Sequence, residues 1–419
     1  MSRFLLALIT AYMLLAASWF VADPIGAAPD EPQHYLKTIA LGRGDWFGSP
    51  SSYFLFNTGT PLAIATTKKL TRSYFMPAAL AVPPAWLCMA EQRNSARCVY
   101  QRPRYPMSSV AQPSYVARYQ PYPYILPALL SKLATDRDTA LMLARFGIAL
   151  SAVPFLLAAL LLLWDGSLLS ELGLVVALTP MVMFTSVVLS PSGPEIAAAI
   201  CVLACIIRMS QQRPLPQLFW AILMISGVML AAARALGVLW IVLDVAVMIW
   251  LVGMPRLKSH LALYRRPALI TLISIGGAML ASVGWQLAVP AVGFPIPHFE
   301  LTAFVDAVFN VPEVFAETIG IFGWQDTVMP RFCYALWGLI SIGMLIAAMR
   351  RGTNRERKLV DALLLASGLL TVLLSVAVLI PSGYAMQGRY MLPFGVAVPM
   401  VAGEVVRRRR AHFNAASGL

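Results

Sequence analysis

The stretch Phe4 to Val21, FLLALITAYMLLAASWFV, holds no charged side chain, and Ala22-Asp23-Pro24 closes it. A helix needs about 20 mainly apolar residues to cross a hydrocarbon core about 30 Å thick, so this run reads as a first membrane helix. A secretory signal peptide with Ala27-Ala28 as cleavage site is the competing reading. The run is long for a signal segment and further apolar runs follow throughout the chain, which favours an uncleaved helix.

Working outward, nine more runs have the length and composition of spans: Thr139–Trp164, Leu172–Leu189, Pro194–Arg208, Leu218–Ala233, Leu236–Gly253, Pro267–Val289, Phe332–Met349, Leu359–Ile380 and Tyr390–Val406. The expected fold class is therefore an all-α polytopic membrane protein of about ten transmembrane helices. Composition agrees: of 419 residues, 59% are hydrophobic and 12% charged, against roughly 25% charged in an ordinary soluble domain. Too few polar residues remain to cover a soluble enzyme domain.

The net charge of +13 could suggest nucleic acid, but its distribution argues otherwise. Basic residues gather between apolar runs: Arg208 and Arg213; Arg256, Lys258, Arg265 and Arg266; Arg350, Arg351, Arg355, Arg357 and Lys358; and Arg407 to Arg410. With Arg3 they fall on one side of the membrane, against Arg234, Arg331 and Arg389 on the other. Cytoplasmic loops carry such an excess, which predicts both termini inside. A basic face interleaved with aromatics is missing, so no nucleic-acid partner is expected.

The spans divide the chain into a first helix (1–22), an extracytoplasmic loop unit (23–138), helices two to seven (139–289), a second extracytoplasmic segment (290–330), and helices eight to ten with a basic tail (331–419). The loop unit is Pro- and Tyr-rich and should be partly helical. The second segment carries Glu300 and Asp326, and within it Asp306, Pro312, Glu313 and Glu317 interrupt the moderately apolar stretch Leu301 to Ile321, which reads as a helix lying at the interface. Cys88 and Cys98 share the first loop, where a disulfide is permitted and expected. Cys201, Cys205 and Cys333 read as small buried hydrophobes.

The residues with chemical potential cluster on the extracytoplasmic side. Pro29-Asp30-Glu31-Pro32-Gln33-His34-Tyr35 begins where the first helix leaves the bilayer, and Gly44-Asp45-Trp46 follows. A carboxylate there can act as a general base in group transfer; equally, Asp30 and Glu31 can cap the next helix at its positive end. His34 shares a helix face with Glu31, but no second metal-ligand cluster joins it and no metal site is expected. Arg145, Arg234 and Arg389 stand near the external helix ends. Arginine suits bidentate recognition of phosphate, while snorkelling to headgroups is the plain alternative, favoured for Arg145. Ser190-Pro191-Ser192-Gly193-Pro194-Glu195, Phe322-Gly323-Trp324-Gln325-Asp326 and Tyr119-Gln120-Pro121-Tyr122-Pro123-Tyr124 face the same side. Their aromatics read as belt residues or as sugar-stacking platforms. No phosphate-binding loop, dinucleotide fingerprint, zincin helix or serine-hydrolase elbow occurs in a sensible place.

These motifs, together with Gly323-Trp324-Gln325-Asp326-Thr327 and Pro330, and with Gln387-Gly388-Arg389-Tyr390 and Pro393, resemble the bacterial membrane-protein family called domain of unknown function 2142. The resemblance runs from about residue 4 to 406, and the two loop cysteines fit it. One departure is Ser192-Gly193, where the family's Ser-Pro-Asp-like motif has an Asp. That family is in turn similar to the GT-C glycosyltransferases. The resemblance implies a sugar moved from a polyprenyl-phosphate donor to an envelope glycan, glycolipid or protein at the bacterial inner membrane. Asp30 and Glu31 would be catalytic, Arg234 and Arg389 would hold the donor phosphate, and His34, Tyr35, Trp324, Asp326 and Tyr390 would contact substrate. No cofactor is implied, and a divalent metal is left open. A transporter or flippase of a lipid-linked precursor, or an inactive assembly subunit, is the alternative.

Overall fold

The computed structural model describes residues 3–51, 61–90, 96–100, 109–289, 301–379 and 386–417. The expected positions 290–300, with Glu300, and the end of the ninth span at Ile380 lie outside the described residues.

Seven helices among these are long and apolar enough to cross a membrane: Arg3–Ala22, Arg137–Leu163, Ser192–Ser210, Arg265–Ala288, Arg331–Arg351, Asn354–Ala377 and Gly388–Arg409. We call the first α1, Glu31–Gly42 α2, Arg137–Leu163 α3, Ser192–Ser210 α4, Phe219–Ala233 α5, Gly237–Val252 α6, Arg265–Ala288 α7 and Val311–Gly320 α8. The pair formed by α6 and Met254–Leu263 makes up to eight spans if counted as one; it bends by 102°. Gly253 sits at that bend with φ 83°, a conformation open to glycine because it has no Cβ. Helix α5 is apolar but shorter, at 15 residues.

The expected span Leu172–Leu189 is not one helix. It forms two short helices, Leu172–Ala177 and Pro180–Thr185. Pro180 lacks the N–H that a continuing helix needs, and the Thr179 side chain accepts from Val182 N to start the second helix. Broken backbone at membrane depth is tolerated where protein surrounds it, and Val176, Ala177, Leu178 and Met181 to Phe184 are all buried.

Helix α4 is the centre of the bundle, with every one of its residues buried. Its small side chains at Ala197 to Ala199, Cys201, Ala204 and Cys205 let α3, α5 and α6 approach closely. By contrast α1, α7 and Arg331–Arg351 leave most of their residues unburied, as lipid-facing helices do.

The first-loop unit contains sheet as well as the expected helix. Strands β1 (Ser49–Pro50), β2 (Arg72–Met76) and β3 (Val110–Ser114) form an antiparallel sheet in that order, with Ser49 opposite Ser73 and Met76 opposite Val110. Every residue of α2 is buried. Tyr35, Leu36, Ile39, Tyr74, Met76, Trp86 and Val99 share a core with Ala140, Leu141, Ala144 and Ile148 of α3, so the unit is seated on the membrane bundle. Cys88 and Cys98 are joined by a disulfide, with Cα atoms 6.1 Å apart. The second segment holds two helices, Leu301–Phe309 and α8, divided before Pro312, then a hairpin of Ile321–Phe322 with Thr327–Val328.

Candidate functional site

Asp30 occupies the residue before α2, yet caps nothing. Its φ is 61° and ψ 7°, and its side chain makes no capping hydrogen bond. This left-handed conformation is one that Asp tolerates better than most residues, and it frees the carboxylate for distant partners. Oδ1 accepts from the Tyr115 hydroxyl at 2.5 Å, and Oδ2 accepts from Arg389 Nη2 at 3.0 Å. Burial pushes the Asp30 carboxyl up, but Arg389, His34 and the Tyr115 hydrogen bond together outweigh it and leave it below the usual carboxylate range.

Arg389 is placed by the start of the last span. Glu317 Oε2 of α8 accepts from Gly388 N at 2.6 Å, and Glu317 Oε1 accepts from Gln325 Nε2 at 3.0 Å. A Cβ on Gly388 would lie 2.5 Å from Thr318 N, so glycine is required for this close approach. Arg389 is 7% exposed. Its Nε–H is buried and has no hydrogen-bond acceptor among the described residues.

Arg234 comes from the break between α5 and α6. There the chain is extended, with φ −148° and ψ 170°, and Gly237 N bonds back to Arg234 O. The guanidinium lies 4.5 Å from the Tyr390 ring centre and 5.8 Å from that of Tyr119. Arg389 lies 5.4 Å from the same Tyr390 ring, so one aromatic ring joins both cations. Ser192 Oγ accepts from Arg234 Nη1 at 3.0 Å, and Glu195 Oε2 stands 3.9 Å away. Glu195 Oε1 also accepts from Trp240 Nε1 at 3.1 Å. The Ser192 to Glu195 turn therefore belongs to this cluster despite its departure from the family motif.

His34, one turn beyond Asp30, is buried and shares a 2.7 Å hydrogen bond with the Tyr124 hydroxyl through Nδ1. Burial, only partly offset by Asp30, pushes it down to about 3, so the ring is neutral. Lys37, on the same face of α2, donates to Ala117 O and Tyr119 O at 2.6 and 2.5 Å. It pins the segment that carries Tyr115 and Tyr119. Burial pushes the Lys37 ammonium down to about 7.

The other expected site residues lie elsewhere. Glu31 is fully buried, with both oxygens engaged. Oε1 accepts from Arg145 Nε and Leu189 N, and Oε2 accepts from Arg145 Nη2 and Gly26 N. Arg145 also bonds Asp23 Oδ2 at 2.9 Å; it is 1% exposed and does not snorkel. Tyr35 packs on Trp86 and donates to Leu80 O. Trp324 donates to Gly26 O, and Asp326 accepts from the Thr327 hydroxyl. These brace the turn before α2 and the hairpin beside it.

Sequence reasoning did not single out Tyr115 or Glu317. Tyr115 follows a short strand with no motif around it, and Glu317 was read only as a polar break in an interfacial helix. Among the described residues, no three His, Cys, Asp or Glu side chains gather to hold a metal ion.

No curated protein matches the chain. Among solved structures, the apo crystal structure of ArnT from Cupriavidus metallidurans is similar at 14% identity and a TM-score of 0.39, over 98% of this chain and 78% of that one. A family model described as "Predicted membrane protein (DUF2142)" matches residues 13–398. That match covers nearly all the spans, the site's acid and both its arginines, and the chain belongs to this family.

Proposed function

We propose that this chain is an integral-membrane glycosyltransferase of GT-C type. It moves a sugar from a polyprenyl phosphate to an envelope glycan, glycolipid or protein outside the bacterial inner membrane, with both termini cytoplasmic. The observation that carries the reading is the meeting of Asp30 with Arg389 and Arg234 around the Tyr390 ring. It supplies a carboxylate paired with Arg389 and a second guanidinium, Arg234, at the same aromatic ring, from the ends of separate helices, an arrangement suited to holding a phosphate.

In this reading, Asp30 takes the proton of the acceptor hydroxyl as that oxygen attacks the anomeric carbon. The bond from that carbon to the phosphate oxygen breaks, and the electron pair leaves on the polyprenyl phosphate. A base must be ionised beforehand, and Asp30 is held below the ordinary carboxylate range. The vacant Nε–H of Arg389 is a donor that a phosphate oxygen can fill, and Arg234 completes the clamp. Preorganised donors aimed at the leaving group's charge stabilise the transition state. Glu31 is then a positioning residue, because its oxygens already hold Arg145 and two backbone N–H groups.

The test is transfer from a labelled polyprenyl-phosphate sugar by the purified protein in lipid nanodiscs. Asp30→Asn should lower the rate about 10²–10⁴-fold, and Arg389→Lys about 10²–10³-fold. Undiminished transfer by Asp30→Asn sinks the assignment. Movement of the lipid donor across reconstituted vesicles without sugar transfer supports a transporter or flippase instead.

A further inference from the structure

The Gly44-Asp45-Trp46-Phe47 turn takes no part in the site above, yet it is rigidly built. Asp45 Oδ1 accepts from Gly48 N at 2.8 Å. Arg72, from β2, donates through Nε to Phe47 O at 2.5 Å and through Nη2 to Gly48 O at 2.9 Å. Gly48 has φ 63°. These bonds hold two large apolar side chains outward: Trp46 is 40% and Phe47 51% exposed.

The turn is tied to the end of α7. The Phe47 ring stacks on Trp285, with centres 5.5 Å apart and planes 13° apart. Trp285 lies in the last turn of α7, in which only Ala268, Thr271 and Ser282 are buried. Leu280 and Leu287 on that helix are 75% and 81% exposed, the lipid-facing surface of a span. Loop residues grip the same end: Trp285 Nε1 donates to Arg118 O and Gln120 Nε2 donates to Ser282 Oγ. Phe47, with Trp46 beside it in the chain, thus extends the exposed apolar surface at the end of α7. Arg43 and Asp45, exposed beside them, suit the headgroup layer.

We infer that this turn is a membrane-interface anchor, with Trp46 and Phe47 set into the boundary between headgroups and acyl chains of the leaflet nearest the first-loop unit. Its partner is the lipid surface itself. Aromatic rings favour that layer, with an apolar body and a polar edge. The anchor holds the unit carrying Asp30 at one height over the bilayer, whatever reaction the site performs.

The experiment uses the full-length protein in proteoliposomes, with Trp46→Cys carrying an environment-sensitive fluorophore in a Cys333→Ser background. A label about 5–10 Å into the boundary should be quenched more by a lipid with a shallow spin label than by one with a deep label. It should resist aqueous iodide. Strong iodide quenching with no effect of either lipid overturns the inference. If the cysteine variant fails to fold, the difference in intrinsic fluorescence between wild type and Trp46→Phe gives the same readout. Loss of a lipid-quenched component is expected, and an unchanged quenching profile overturns it.

Discussion

Asp30 and Arg389 lie 359 positions apart in the chain and meet at 3.0 Å. The contact joins the residue just before the loop unit's buried helix to the first turn of the last span. Each side is held by its own support. Tyr115 steadies Asp30, and Glu317 fixes the backbone beside Arg389. A site assembled from opposite ends of the chain is sensitive to changes in these supports.

The support at Gly388 can be tested directly. A Cβ there would press on the backbone of Glu317 and Thr318 at 2.5–2.6 Å, and overpacking of this kind costs about 1–3 kcal/mol. Gly388→Ala should lower the unfolding temperature and separate Arg389 from Asp30. Gly395→Ala, in the same helix but with nothing near its Cβ, should leave stability unchanged or slightly raised. Equal effects from the two variants, measured by thermal unfolding in detergent, would contradict the packing argument.

Arg145 is a structural cation. It faces Glu31 and Asp23 in a buried cluster, where burial, partly offset by Arg145, pushes the Asp23 carboxyl up to about 7. Removing one partner of a buried pair costs about 3–5 kcal/mol because the other charge is left unpaired. Arg145→Met should therefore be poorly folded, and adding Glu31→Gln should restore part of the loss. Yield of monodisperse protein and unfolding temperature report both effects.

His34 gives a pH dependence of known sign. Its folded value of about 3 lies below the ordinary 6.5, so the folded state binds fewer protons than the unfolded state between those values. The His34 contribution to stability must then rise with pH through that window and be complete above it, while Asp23, raised to about 7, contributes with the opposite sign between 3.8 and 7. Falling pH from about 6.5 toward about 3 removes the His34 contribution, and His34→Gln should flatten that slope. Asp30 adds stability lost on acidification below its ordinary 3.8, so a residual slope should persist at the acid end. Unfolding midpoints across this range decide the point.

The Cys88–Cys98 bridge closes a short loop, with a sequence separation of 10. Loop-closure entropy for that length predicts roughly 2–3 kcal/mol of stabilisation. Reduction, or Cys88→Ser, should lower the unfolding temperature. Free Cys201 and Cys205 are buried and should react slowly with a maleimide in the folded protein. Rapid labelling of these two before unfolding would contradict the packing of α4.

Hydrophobic run length is a local property, so the sequence by itself determined the membrane character, the positions of most long helices and the candidate first-loop acid. Pro180 was also visible in the sequence. Its consequence was not, because only burial of Leu172–Leu189 inside the bundle makes a broken helix tolerable at that depth. The chain likewise named Asp30, Arg234 and Arg389 but could not separate them from Glu31 and Arg145, which have the same residue types and similar surroundings in sequence. Partner choice for a buried charge depends on which helices meet in three dimensions. Tertiary structure sent Glu31 to Arg145, 114 positions away, turned Asp30 away from capping its own helix, and brought Tyr115 to Asp30, Glu195 to Arg234 and Glu317 to the backbone beside Arg389.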